Sequence, residues 1–130
     1  MKVEHIAIWV ENIEAMRQFF LTYFNAISSE KYVNSKKNFT SYFISFNEGG
    51  ARLELMNNPD IYKADMDRAL MQGLAHISIF VGTKKDVDEL TERLRKGHYR
   101  ITSKPRTTGD GYYESVVLDP EGNSIELTGE

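Results

Sequence analysis

The chain has 130 residues, 41% of them hydrophobic, enough for one domain with a substantial core or for two small modules sharing one. Its 16 basic and 19 acidic residues are intermixed, with a net charge of −3, which argues against a nucleic-acid-binding stripe and favours a small neutral or anionic ligand over a polymer. No cysteine is present, so a disulfide framework, a thiolate metal site and a cysteine nucleophile are excluded, and any metal must be held by imidazole and oxygen.

The N-terminus runs into an apolar strand without a basic leader segment, and no apolar run approaches membrane-spanning length. A soluble, cytoplasmic protein with no membrane partner is expected. The first strand is HIAIWV, residues 5–10, with His5 and Trp9 on the face opposite its aliphatic residues. A helix follows, capped by Asn12, with Met16, Phe19 and Tyr23 on one buried face and Asn25 at its C-terminal end. Two strands are placed near 29–33 and 39–46, then a turn at Gly49 and Gly50. In the next strand, RLEL, Leu53 and Leu55 point to the helix while Arg52, Glu54 and Met56 take the other face.

Residues 57–73 read as a connector, after which the pattern returns. Shifting the sequence by 71 lays His5, Ile6, Ile8, Trp9 and Val10 on His76, Ile77, Ile79, Phe80 and Val81. Asn12 falls on Thr83, which has Asp86 three residues later in capping-box style, and Met16, Phe19 and Tyr23 fall on Val87, Leu90 and Leu94. One residue slips at the helix ends, where Asn25 meets Gly97, both types that tolerate a left-handed C-terminal position. From there FNEGGARLEL lies on LDPEGNSIEL at a shift of 72. Strands are expected near 100–104 and 113–118, joined through TTGDGYYES, which reads as a hairpin connection rather than a lid, with a type I turn at Asp119, Pro120 and Gly122. His98, just past the second helix, has no counterpart in the first copy and reads as structural.

The expected fold is α+β: two βαβββ modules, residues 1–56 and 74–130, within one domain and forming a cup. Ile125 and Leu127 point inward, leaving Ser124, Glu126 and Thr128 opposite, so His5, Glu54, His76 and Glu126 all share the polar faces of their sheets. Singly, each is an ordinary polar strand residue. Two His-to-Glu pairs at nearly equal spacing are not, because two converging carboxylates cost several kcal/mol unless a cation joins them. Two imidazoles and two carboxylates suit Ni²⁺, Co²⁺, Mn²⁺, Fe²⁺ or Zn²⁺ and leave two positions of an octahedral ion open for a chelating small-molecule substrate. Trp9, Phe80 and Met56 would wall an apolar pocket or serve as core between the modules, and Arg52 could meet a substrate carboxylate or pair with an acid at the rim.

EHIAIWV, RLEL, AHISIFV and LDPEGNSIEL resemble the vicinal oxygen chelate superfamily, the group of glyoxalase I, fosfomycin-resistance thiol transferases, extradiol dioxygenases, methylmalonyl-CoA epimerase and bleomycin-binding proteins. The resemblance spans essentially the whole chain and implies a metal cup built from paired modules, often completed in a homodimer. Its glyoxalase I branch has ligands in the order His, Glu, His, Glu, which His5, Glu54, His76 and Glu126 match. Such a protein is a metal-dependent lyase that isomerises the thiohemiacetal of a 2-oxoaldehyde through an enediolate, with Glu126 as the matching base and Glu54 as its repeat mate. Asn58 matches an asparagine that contacts glutathione, whereas the arginine expected four residues after the first histidine is Trp9. Glutathione or another small thiol is therefore the implied co-substrate. Thiol transfer to a fosfomycin-like epoxide, extradiol ring cleavage, epimerisation and non-catalytic binding in a resistance protein are the alternatives on the same scaffold.

Overall fold

A computed structural model describes residues 1–63 and 67–130, and these divide into two compact units, Met1–Lys63 and Ala64–Glu130. The architecture is α+β. In the first unit, strand β1 (His5–Trp9) leads into helix α1 (Ile13–Phe24), followed by β2 (Ile27–Ser28), β3 (Tyr32–Asn34), β4 (Phe39–Ser45) and β5 (Arg52–Asn57). The sheet runs β1-β5-β4-β2, with β3 also paired to β4. In the second, β6 (His76–Gly82) leads into α2 (Lys84–Lys96), then β7 (Ile101–Thr107), β8 (Tyr113–Leu118) and β9 (Ser124–Gly129), ordered β6-β9-β8-β7. The expected connector 57–73 includes residues 64–66, which lie outside the described residues; Arg68–Leu70 within it form a single 3-10 turn.

Each unit buries one side of its sheet under its helix. Met16, Phe19 and Phe20 of α1 pack with Ile44, Leu53 and Leu55, and Val87, Leu90 and Leu94 of α2 with Val117, Ile125 and Leu127; all are buried. Each such side chain stabilises its unit by about 1.5–3 kcal/mol relative to exposure. The repeat is not symmetric inside. Where α1 buries Phe20, α2 buries Thr91, whose hydroxyl lies 2.6 Å from the Val87 carbonyl and 2.7 Å from the Ser115 hydroxyl, so both buried hydroxyls are satisfied.

The helix N-termini follow expectation. The Asn12 side chain accepts from the Ala15 N–H at 3.0 Å, and Thr83 and Asp86 form a reciprocal capping box. The C-termini differ from expectation in the second copy. Asn25 is left-handed with φ of 49°, but Gly97 has φ of −76°, and the left-handed residue is His98, with φ of 67°. His98 donates its N–H to the Arg95 carbonyl and Tyr99 to that of Leu94, a Schellman ending with histidine where glycine is usual.

Three strand boundaries also shift. The strand expected at 29–33 is broken into β2 and β3, and Ser29 between them donates its N–H to the Phe43 carbonyl. The strand expected at 100–104 continues to Thr107 past Pro105, because β7 is an edge strand where a missing N–H costs no ladder bond; its register breaks between Ser103 and Arg106. In the hairpins, Ile44 pairs with Leu53 and Val117 with Ile125, so β4 lies on β8 at a shift of 73 rather than 72. The first hairpin loop, residues 46–51, is one residue longer than the second, 119–123. The Gly49 N–H closes on the Phe46 carbonyl at 3.0 Å, as that of Gly122 closes on Asp119 at 3.1 Å. Gly49, not Gly50, therefore corresponds to Gly122; their φ angles are 84° and 85°.

Candidate functional site

The first and last strands of each unit are parallel neighbours. In the first unit His5 pairs with Arg52, Ala7 with Glu54 and Trp9 with Met56; in the second, His76 pairs with Ser124, Ser78 with Glu126 and Phe80 with Thr128. Paired residues share a face, so each histidine stands two residues from the position opposite its glutamate, on the side away from the helix. The His5 Nε2 is 3.7 Å from Glu54 Oε2, and the His76 Nε2 is 3.6 Å from Glu126 Oε2. The glutamates are the more sheltered partners, with side chains 16% and 17% exposed against 39% and 48% for the histidines.

Among the described residues, no three His, Cys, Asp or Glu side chains gather in metal-holding geometry, and the predicted ligands come as one pair in each unit. The pairs nevertheless fit a divalent ion. Their separation is too long for a good hydrogen bond but shorter than twice a metal–ligand distance of about 2.1 Å, and imidazole nitrogen with carboxylate oxygen is a donor set for first-row metals.

The surroundings include two carboxylates absent from the sequence expectations. Glu114 on β8 pairs with Thr128, placing it on the face of Glu126, and its side chain is 13% exposed. Burial, and then the adjoining negative Glu126, push its carboxyl above the ordinary glutamate range, against the weaker pull of Arg106, whose NH2 lies 3.5 Å away. Period-two alternation in YESVVL, combined with the hairpin register, carried the signal for Glu114. Glu4 accepts from His5 Nδ1 and from Arg52, and these two bonds, that of His5 first, hold its carboxyl below the usual range.

The residues expected around substrate are placed as follows. Trp9 is 48% exposed with its ring edge-on to Phe39 at 6.2 Å, and Phe80 is 60% exposed. Met56 is half-buried beside Trp9. Arg52 stacks its guanidinium over the Phe43 ring at 4.2 Å while bonding Glu4. Asn58 holds a turn, donating to the Lys37 carbonyl at 3.2 Å and accepting from the Asp60 N–H at 2.8 Å.

The family model of the Glyoxalase/Bleomycin resistance protein/Dioxygenase superfamily matches residues 2–127. The chain belongs to that superfamily. A relative described as the uncharacterized protein YqjT of Bacillus subtilis (strain 168) is 25% identical over 128 residues, covering 96% of both chains. Among superfamily structures, a glyoxylase/bleomycin resistance protein/dioxygenase domain from Frankia sp. EAN1pec superposes with a TM-score of 0.83 at 16% identity, over 99% of this chain and 91% of that one. The trypanothione-dependent glyoxalase I of Leishmania major gives a TM-score of 0.78 at 25% identity, over 100% and 87%. Glyoxalase I from Zea mays gives 0.80 at 22%, with 98% of this chain spanning 44% of the maize chain.

Proposed function

We propose that this superfamily member is a metal-dependent lyase of the glyoxalase I type, isomerising the thiohemiacetal of a 2-oxoaldehyde such as methylglyoxal. The observation that carries the reading is the repeated pair: a histidine and a glutamate on parallel neighbouring strands, at 3.7 Å in one unit and 3.6 Å in the other. His5, Glu54, His76 and Glu126 are the proposed ligands of a divalent ion, Ni²⁺, Co²⁺, Zn²⁺, Mn²⁺ or Fe²⁺. When bound, that ion supplies Lewis-acid stabilisation of the negative charge developing on the substrate's adjacent oxygens.

The chain's own groups perform the proton transfer. Glu126 takes the proton from the carbon bearing hydroxyl and sulfur and returns it to the neighbouring carbonyl carbon, while the hydroxyl proton passes from the first oxygen to the second, so that the thiohemiacetal becomes a 2-hydroxy thioester with all atoms conserved. Positioned general bases contribute about 10²- to 10⁴-fold. Glu54, the repeat mate, holds the ion or serves the opposite stereochemistry. Trp9 and Met56 in the first unit, and Phe80 in the second, supply apolar surface on the same sheet face as the proposed ligands. For Arg52 and Asn58, binding substrate or a glutathione-like thiol costs the bonds they make to Glu4 and within the turn. β1 and β6 end their sheets, and natural strand edges are commonly covered, which supports a homodimer. Both units serve one domain in this reading, and the cytoplasm is its compartment; among the described residues no helix is long and apolar enough to cross a membrane.

The deciding experiment reloads metal-stripped protein separately with Ni²⁺, Co²⁺, Mn²⁺ and Zn²⁺ and assays methylglyoxal with glutathione and other small thiols. Metal-dependent thioester formation is expected. Stoichiometric metal without turnover on any thiol would discard the lyase and direct attention to epimerisation, epoxide opening or ring cleavage.

A further inference from the structure

The two histidines are held differently. His5 Nδ1 is bonded to Glu4, whose other carboxylate oxygen accepts from Arg52. The Arg52 guanidinium lies 4.2 Å from the centre of the Phe43 ring, and the His5 ring meets the same Phe43 edge-on at 5.4 Å and 90°. The Arg52 backbone N–H also donates to the Glu4 carbonyl at 3.0 Å, tying the residue before β1 to the start of β5. Glu4, Arg52 and Phe43 thus hold the imidazole by one ring nitrogen and one ring edge.

The second unit has different residues at every corresponding position. Ala75 precedes His76, Ser124 is paired with His76 where Arg52 is paired with His5, and Val116 is paired with Glu126 where Phe43 is paired with Glu54. None of these side chains can present an anion to a ring nitrogen.

We infer that Glu4 is a positioning residue: it keeps His5 in the tautomer protonated at Nδ1, so that the Nε2 lone pair faces Glu54, while His76 has no equivalent among the described residues. A neutral imidazole has one N–H and one lone pair, and the group bonded to one nitrogen decides what the other can do. An anion on Nδ1 leaves Nε2 as the acceptor, the state a metal ligand requires, and carboxylate partners of this kind typically change metal affinity 10- to 100-fold. The inference rests on the proposed function only in taking His5 as a ligand.

The test uses the full chain, metal-free and then with Zn²⁺. Ring nitrogen correlations by NMR at about pH 8, above the ordinary histidine range, read the tautomers of His5 and His76 directly. In the wild type, His5 is expected to carry its proton on Nδ1. Glu4→Ala should shift His5 toward Nε2–H, leave His76 unchanged, and weaken Zn²⁺ binding by calorimetry about 10- to 100-fold. Glu4→Gln, whose amide oxygen can still accept from Nδ1, should restore the tautomer and part of the affinity. Glu4 lies outside the core, and the backbone amide spectrum verifies that both variants fold. A wild-type His5 protonated at Nε2, or a tautomer indifferent to Glu4→Ala, overturns the inference. Absence of Zn²⁺ binding by the wild type, with the tautomer shift intact, would remove the metal reading and leave the hold of Glu4 on His5 standing.

Discussion

Glu114 and Glu126 bring two carboxyl groups together on one sheet face, and the ionisation of Glu114 feels its neighbour. Because burial and Glu126 raise the Glu114 pKa, the folded protein keeps a proton there that the unfolded chain has lost above the ordinary glutamate range. Folding stability should therefore be fullest below that range and fall as the pH rises through the raised value. Glu114→Gln cannot ionise, so its urea midpoint should lose this part of the decline as the pH rises above the ordinary glutamate range. Equal slopes in the two proteins would assign the effect elsewhere. Glu126→Gln is expected to lower turnover by at least about 10²-fold while metal, measured by elemental analysis, stays bound. The four paired residues were legible because alternation fixes a strand's faces from sequence alone. Glu4 was not, since the same alternation applied one residue before His5 sends it to the opposite face. Only because Glu4 precedes the regular strand can its side chain come round to Nδ1.

At the level of single elements, α2 carries two opposite lessons. Its start is written in Thr83 and Asp86, and Thr83→Ala should cost about 1 kcal/mol in chemical denaturation. Its end was misread: glycine at 97 suggested the left-handed residue, but the chain turns one position later, at His98, where a Cβ is a handicap. His98→Gly should accordingly stabilise the protein by about 1 kcal/mol, whereas Gly97→Ala should not show the large penalty of a left-handed site. The hairpins teach the same point. FNEGGAR and LDPEGNS align by letters with one glycine over another, yet the N–H that closes each turn belongs to Gly49 and Gly122, and the extra residue lies beyond it. Loop length is invisible to a similarity search that permits no gap, and register depends on it.

For the whole chain, the repeat predicted the architecture, because two copies of one pattern must each bury an apolar sheet face under a helix. It could not predict how differently the copies are finished, Phe20 against Thr91 in the cores and Glu4 against Ala75 beside the histidines. If the four donors hold an ion, binding must stabilise the folded state. Zn²⁺ or Ni²⁺ at 100 times its dissociation constant should add about 2.7 kcal/mol and raise the thermal midpoint, and a chelator should reverse the rise. Glu54→Ala should abolish most of that gain, measured by scanning calorimetry.

The parallel pairing of β1 with β5 and of β6 with β9 has a consequence for how the protein comes into being. In each unit the histidine is among the earliest residues made and its glutamate among the latest, and everything between them must close as one long loop before they meet. Such distant pairing is the slow part of folding. A nascent chain emerging from the ribosome therefore has each helix well before it has the glutamate that completes that unit's pair. A chain truncated just before Glu126 keeps His76 and loses the carboxylate that stands beside it.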